Sequence, residues 1–119
     1  MILNLLLLTG CRTRFIETNL YFGFSKPAGG SVSNDEWQIF LQNHVSRVFS
    51  QGFTVIPAQG KWLDDSPKIL ISEPSAIVIG VHPKNKILSQ RIDSLGERYK
   101  SMFQQQAVLR VDKKVRVRY

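Results

Sequence analysis

One cysteine, Cys11, occurs in the 119 residues, so no disulfide can close within the chain. Two histidines, His44 and His82, lie far apart with no Cys/His cluster beside them, which excludes a structural zinc site; no metal ligand set and no cofactor motif is expected. No internal repeat or low-complexity stretch appears. Acids are scarce, 9 against 16 Lys and Arg, and the net charge of +7 favours anionic partners or a solvated basic surface. What remains is ordinary for a globular protein: 43% hydrophobic and 21% charged residues. That suffices for one domain with one core.

The first eleven residues read MILNLLLLTGC. The apolar run Ile2 to Leu8 is too short for a membrane-spanning helix, which needs about 20 residues, but it suits the apolar region of a secretory signal. Leu8-Thr9-Gly10-Cys11 resembles the bacterial lipobox, whose cysteine thiol is alkylated by a diacylglyceryl group before cleavage in front of it. That resemblance implies a signal over residues 1–11, a single domain over 12–119 and a membrane anchor on Cys11. Arg12, standing where Asp marks inner-membrane retention, leans towards the outer membrane, on the periplasmic side of the cell envelope. The alternative is an apolar first strand or helix with an ordinary buried cysteine.

Beyond the signal, Phe15 to Phe24 alternate at period two and predict a strand. Ser25 to Ser33 form a Pro- and Gly-containing loop. Ser33 and Glu36 have capping-box spacing, and Trp37, Phe40, Leu41, Val45, Val48 and Phe49 follow on one helical face up to Gly52. Phe53 to Trp62 resume a β pattern, and Asp64 to Pro67 make a turn. Lys68 to Ser72 return as a strand, Pro74 marks an edge or bulge, and Ala76 to Val81 form a buried strand. Asn85 to Gln105 predict a second helix, and Val108 to Val117 a last strand. The order strand, helix, paired strands, helix, strand fits an α+β, ferredoxin-like split βαβ plan: an antiparallel sheet with two helices on one face.

The phrases ETNLYFG (Glu17 to Gly23), GGSVSNDEWQIFL (Gly29 to Leu41), GFTVIPAQGKW (Gly52 to Trp62), ISEPSAIVIGVHP (Ile71 to Pro83) and AVLRVDKKVRVRY (Ala107 to Tyr119) resemble an uncharacterised bacterial family, the domain of unknown function 3574. Many of its members look like small lipoproteins. The resemblance supports an exported, lipid-anchored domain and carries over no activity. Lys61 stands where relatives are expected to have Gln.

Five polar or amphipathic residues, Tyr21, Gln59, Trp62, Glu73 and Arg110, fall on predicted strands or their connections. Converging on one sheet face, they would bind a small anionic or polar ligand, with Arg110 as a bidentate clamp and the rings stacking. The competing reading has the rings filling packing positions and Glu73 and Arg110 in an ordinary ion pair. His44 is expected beside the apolar face of its helix; His82, at a strand end, could serve as a base but has no partner at diagnostic spacing. Arg110, Asp112, Lys114, Arg116 and Arg118 alternate along the last strand. Lys114, Arg116 and Arg118 are candidates for contact with anionic lipid head groups, and export argues against nucleic acid. A non-enzymatic binding or interaction module is the expectation. The alternative is a small enzyme of the dimeric α+β-barrel type acting on an anionic molecule, and a homodimer is open under either.

Overall fold

The computed structural model describes residues 14–119; the lipobox and Cys11 lie outside the described residues. Strand β1 spans Phe15–Gly23. Helix α1 runs as α-helix over Asn34–Phe40, widens into a π-helical turn over Leu41–Val45 and returns to α-helix over Ser46–Val48. Strands β2 (Thr54–Asp65) and β3 (Lys68–Pro83) form a long hairpin. Helix α2 covers Lys86–Phe103 and strand β4 Leu109–Val115. The sheet order is β2-β3-β1-β4, with every neighbouring pair antiparallel. This is the ferredoxin-like α+β arrangement, and it sets the first and last strands side by side.

Both helices are capped as their sequences dictate. The Glu36 amide donates to Ser33 Oγ at 3.1 Å, and Glu36 Oε1 accepts from the Ser33 amide at 3.0 Å. That backbone hydrogen bond holds the Glu36 carboxyl below the usual range. Asn85 Oδ1 accepts from the Leu88 amide at 2.9 Å. Helix α2 ends at Phe103, two residues before the expected end, because Gln104 turns left-handed (φ 52°), a conformation usually given to glycine.

The π-helical turn inserts one residue into α1. It slides the apolar stripe from position 44 to 45, so Val45 and Phe49 are buried while His44 stays at the margin, its ring 5.3 Å from that of Phe40. Burial, then the charges of Arg98 and Arg47, lower the His44 pKa.

Strand alternation sends Thr18, Leu20 and Phe22 of β1 and Ala76 and Val78 of β3 towards the helices. There Phe22, Trp37, Phe40, Tyr99 and Phe103 form an aromatic cluster; Phe22 and Tyr99 are 4.7 Å apart between centroids in an edge-on arrangement. The Tyr99 hydroxyl donates to the Gly23 carbonyl at 2.6 Å. Burial pushes its pKa well above the ordinary phenol value, with Glu73 and Glu36 adding to the shift. Gly80 faces Phe49: a Cβ there would overlap the phenyl ring, so only glycine lets α1 settle on β3.

The hairpin departs from expectation in two respects: β2 runs on to Asp65, so the turn shrinks to Ser66 and Pro67, and the expected interruption of β3 is absent. Strand β3 runs unbroken through Pro74, which pairs with Gln59 of β2. β1 has ended at Gly23, opposite Ser75, so Pro74 sits where β3 has become an edge on that side and loses no ladder bond there. β4 stops at Val115 rather than Val117, since its last partner is Phe15 at the start of β1.

Candidate functional site

The sheet face away from the helices has no covering layer among the described residues. Its rows follow from the register. Val111, Asn19, Ile79 and Thr54 lie across one row, and Leu109, Tyr21, Ile77 and Ile56 across the next. Leu109 is 59% exposed, Val111 42%, Ile56 40% and Tyr21 36%, a largely apolar surface over four strands with Asn19 inside it and Thr54 at its edge. Its charges are Glu17 and Lys113, paired with each other at 3.3 Å, and Glu73 at the opposite end, with Asp64 farther out on the same side of the hairpin. Asn19 lies near the middle. Its Oδ1 is buried and has no hydrogen-bond partner among the described residues.

Past Gly23 the hairpin continues as a two-stranded arm, with Gln59 to Asp65 pairing Lys68 to Pro74. Trp62, Ile69 and Ile71 lie on the side continuous with the open face, Leu63 and Leu70 on the other, and all but Ile71 expose about half or more of their surface. A lone two-stranded ribbon is marginal in water, and this arm carries its apolar side chains exposed on both sides.

Of the five candidate ligand residues, Tyr21, Trp62 and Glu73 share the open face. Trp62 and Glu73 line one side of an open cleft of about 470 Å³, with Ser25, Lys26 and Gln105 opposite. Glu73 Oε2 accepts from the Ser25 amide at 3.1 Å. Gln59 lies on the other face of the arm, where its Oε1 accepts from Ser72 Oγ at 3.0 Å. Arg110 is also on the other face, pairing with Leu20 under α2. Its guanidinium donates to the Ser89 carbonyl at 2.9 Å and pairs with Asp93 at 2.8 Å and Asp112 at 3.0 Å, which leaves little donor capacity for a ligand. The five therefore divide between two faces.

That same register turns Arg110 and Asp112 towards the helix layer and Leu109 and Val111 outward. Alternation alone sets Arg110 and Asp112 on one side with Lys114, and does not say that this side meets the helices. Lys114 is exposed at the end of β4, and Arg116 and Arg118 are exposed beyond it.

Beneath α2, Thr18, fully buried, donates from Oγ1 to Asp112 Oδ1 at 2.8 Å and lies 2.7 Å from His82 Nε2. The hydroxyl has one proton and gives it to the carboxylate, so the short contact to Nε2 calls for a proton on the ring. His82 Nδ1 faces the Pro83 carbonyl at 3.0 Å. Burial opposes ionisation of Asp112, but the bonds from Arg110 and Thr18 outweigh it and hold its carboxyl below the usual range. A hydroxyl, an imidazole and a carboxylate thus meet, but in the wrong order for nucleophilic catalysis: the hydroxyl is buried and sits between the other two. The network seals the seam between β4 and α2. The cleft beside it, about 380 Å³, is lined by His82, Lys84, Lys86 and Arg110.

The sequence reading passed over Asn19, Ile77, Ile79, Leu109 and Val111 as ordinary strand residues. The available signal was apolar residues on both alternating sets of β3, which a sheet covered on one face does not need.

No helix among the described residues is long and apolar enough to cross a membrane, and no group of three metal-ligating side chains converges there. No curated protein matches the chain. Among solved structures, it resembles a phage SAM lyase in complex with S-methyl-5'-thioadenosine, at 12% identity and a TM-score of 0.65 over 84% of this chain and 81% of the other. The apo state of the phage SAM lyase gives 13% identity and a TM-score of 0.60 over 85% and 81%. CutA from Synechococcus elongatus PCC7942 gives 10% identity and 0.54 over 87% and 79%. At such identities the likeness is one of fold. A family model does match, over residues 17–119, and the chain belongs to that family, the proteins of unknown function DUF3574.

Proposed function

We propose that this chain is a non-catalytic interaction module of the bacterial cell envelope, lipid-anchored through Cys11 and working through its open sheet face. The observation that carries the reading is the largely apolar surface across four strands, prolonged by the arm. An enzyme using Tyr21, Glu73, His82 and Arg110 would need them in one pocket; Tyr21 and Glu73 lie on one sheet face, His82 and Arg110 on the other.

The anchor and the charge support one another. β1 starts at Phe15, paired with Pro83 and Val115, so the chain enters the fold beside Lys84, Lys86, Lys114 and Arg116, all exposed. Cations at the anchored end favour anionic head groups, and an acyl chain joined to a basic patch holds where one chain is marginal.

Carbene footprinting tests the working face. Leu109 and Val111 should be labelled several-fold less in isolated envelopes than in dilute purified chain; equal labelling would refute the reading. Growth with a fatty-acid probe tests the anchor. The wild-type chain should be tagged and Cys11→Ala should not, and an untagged wild type rules the anchor out.

A further inference from the structure

The partner of the open face has to satisfy three features at once: the face is apolar, it is nearly free of unpaired charge, and it holds an unsatisfied amide near its centre. We infer that the partner is a second copy of this chain, packed sheet to sheet. The inference rests on the interaction-module reading and names the partner of the same face.

Charge favours this choice. The chain carries +7 overall, yet Lys113 on the open face is neutralised by Glu17 and the cations concentrate elsewhere. An anionic polymer or a lipid surface would meet little positive charge here. Across the central rows two copies of the same face meet without like charges opposed, as an isologous contact requires; Glu73 and, on the arm, Asp64 are the carboxylates outside the Glu17–Lys113 pair and lie away from the centre.

Size agrees. Nine residues each on β1 and β3, seven on β4 and the five of β2 beside them (Thr54 to Ala58), at about 3.3 Å along and about 4.8 Å across each strand, cover about 480 Å². The arm from Gln59 to Asp65, about 23 Å long and about 10 Å wide, adds about 230 Å². The total of about 700 Å² approaches the roughly 800 Å² per partner of a standard stable interface.

Asn19 supplies the register. β3 and β1 are the two inner strands, so the Asn19–Ile79 pair lies near the middle of the face. Packed sheets stand about 10 Å apart, close enough for two asparagine amides to meet across a two-fold axis. The two half-buried Asn19 side chains would then be the polar groups opposed at the centre of an otherwise apolar contact, which fixes the register, while each Oδ1 stays covered within its own chain. Sheet on sheet also covers the apolar arm.

The mass of the full chain in mild detergent, by light scattering and sedimentation, decides it. Wild type should travel as two or more chains per particle. Asn19→Asp, which sets two carboxylates against each other, should weaken association at least about 100-fold. Leu109→Glu with Val111→Glu should do the same, while Ile87→Glu, on α2 and 69% exposed, should change nothing. Near-ultraviolet circular dichroism of the aromatic cluster reports whether each variant is folded. Should the variants fail that check, footprinting of wild type across a dilution series replaces them, with Leu109 and Val111 becoming reactive as the particles separate. One chain per particle at every concentration overturns the inference. So does an oligomer indifferent to the open-face variants, which would assign assembly to residues 1–13 or to the detergent. Single chains whose open face is nevertheless protected in envelopes sink the self-association and leave the interaction module standing; single chains with an unprotected face sink both.

Discussion

The two faces of the sheet are built from the same strands and differ in what they have found to touch. The covered face carries Thr18, Leu20, Phe22, Ala76 and Val78, all buried under an aromatic cluster from α1 and α2. The open face carries Tyr21, Ile56, Ile77, Ile79, Leu109 and Val111, apolar as well, with no helix over it among the described residues. A half-solvated antiparallel sheet normally alternates apolar with polar. Here both alternating sets are apolar across the middle strands, so hydrophobicity alone does not distinguish a core in place from a surface awaiting one.

Substitutions separate the two faces. Phe22→Ala removes the centre of the aromatic cluster and should cost about 3–5 kcal/mol in chemical denaturation. Leu109→Ala, on the open face, should cost no more than about 0.5 kcal/mol in the unassembled chain. Equal losses would mean that the open face is already filled within one chain. Gly80→Val forces a side chain into the Phe49 ring and should cost about 1–3 kcal/mol, chiefly by lifting α1 off β3; an unchanged midpoint would show that α1 packs more loosely than the contact implies.

A smaller effect than that of Gly80→Val tests the seam under α2. Asp112 has a folded pKa below its unfolded value of about 3.9, so its contribution is present above that pH and is lost as pH falls through the folded value. Asp112→Asn should lower stability at neutral pH by no more than about 1 kcal/mol, since the carboxylate is partly exposed, and should flatten the acid limb of the stability curve. An acid limb as steep as that of wild type would remove Asp112 from the linkage.

Much of the fold was legible in sequence because its signals are local. The Ser33–Glu36 box, the Asn85 cap and the strand and helix periods each depend on neighbours within one turn or one pleat. Pro74 was legible only as an edge or bulge, because whether β3 has a partner at that point depends on where β1 stops. His44 was placed beside the apolar face, and the inserted π residue is what keeps it at the margin. The candidate ligand residues were harder to place. Tyr21 and Arg110 lie in adjacent strands, yet their registers put them on opposite faces, and alternation within one strand cannot reveal which face meets the helices.

By itself the sequence determined the element order, the caps, the ferredoxin-like plan and the resemblance to an uncharacterised family, because those depend on period, spacing and short phrases. Tertiary structure alone decided that Arg110 closes a seam instead of facing solvent, that Thr18 separates His82 from Asp112, and that Leu109 and Val111 join Tyr21 and Ile77 in one exposed surface. The physical reason is register. A strand's alternating pattern says that its two sides differ, but only its hydrogen-bonded neighbours settle which side is covered and which is left to meet another molecule.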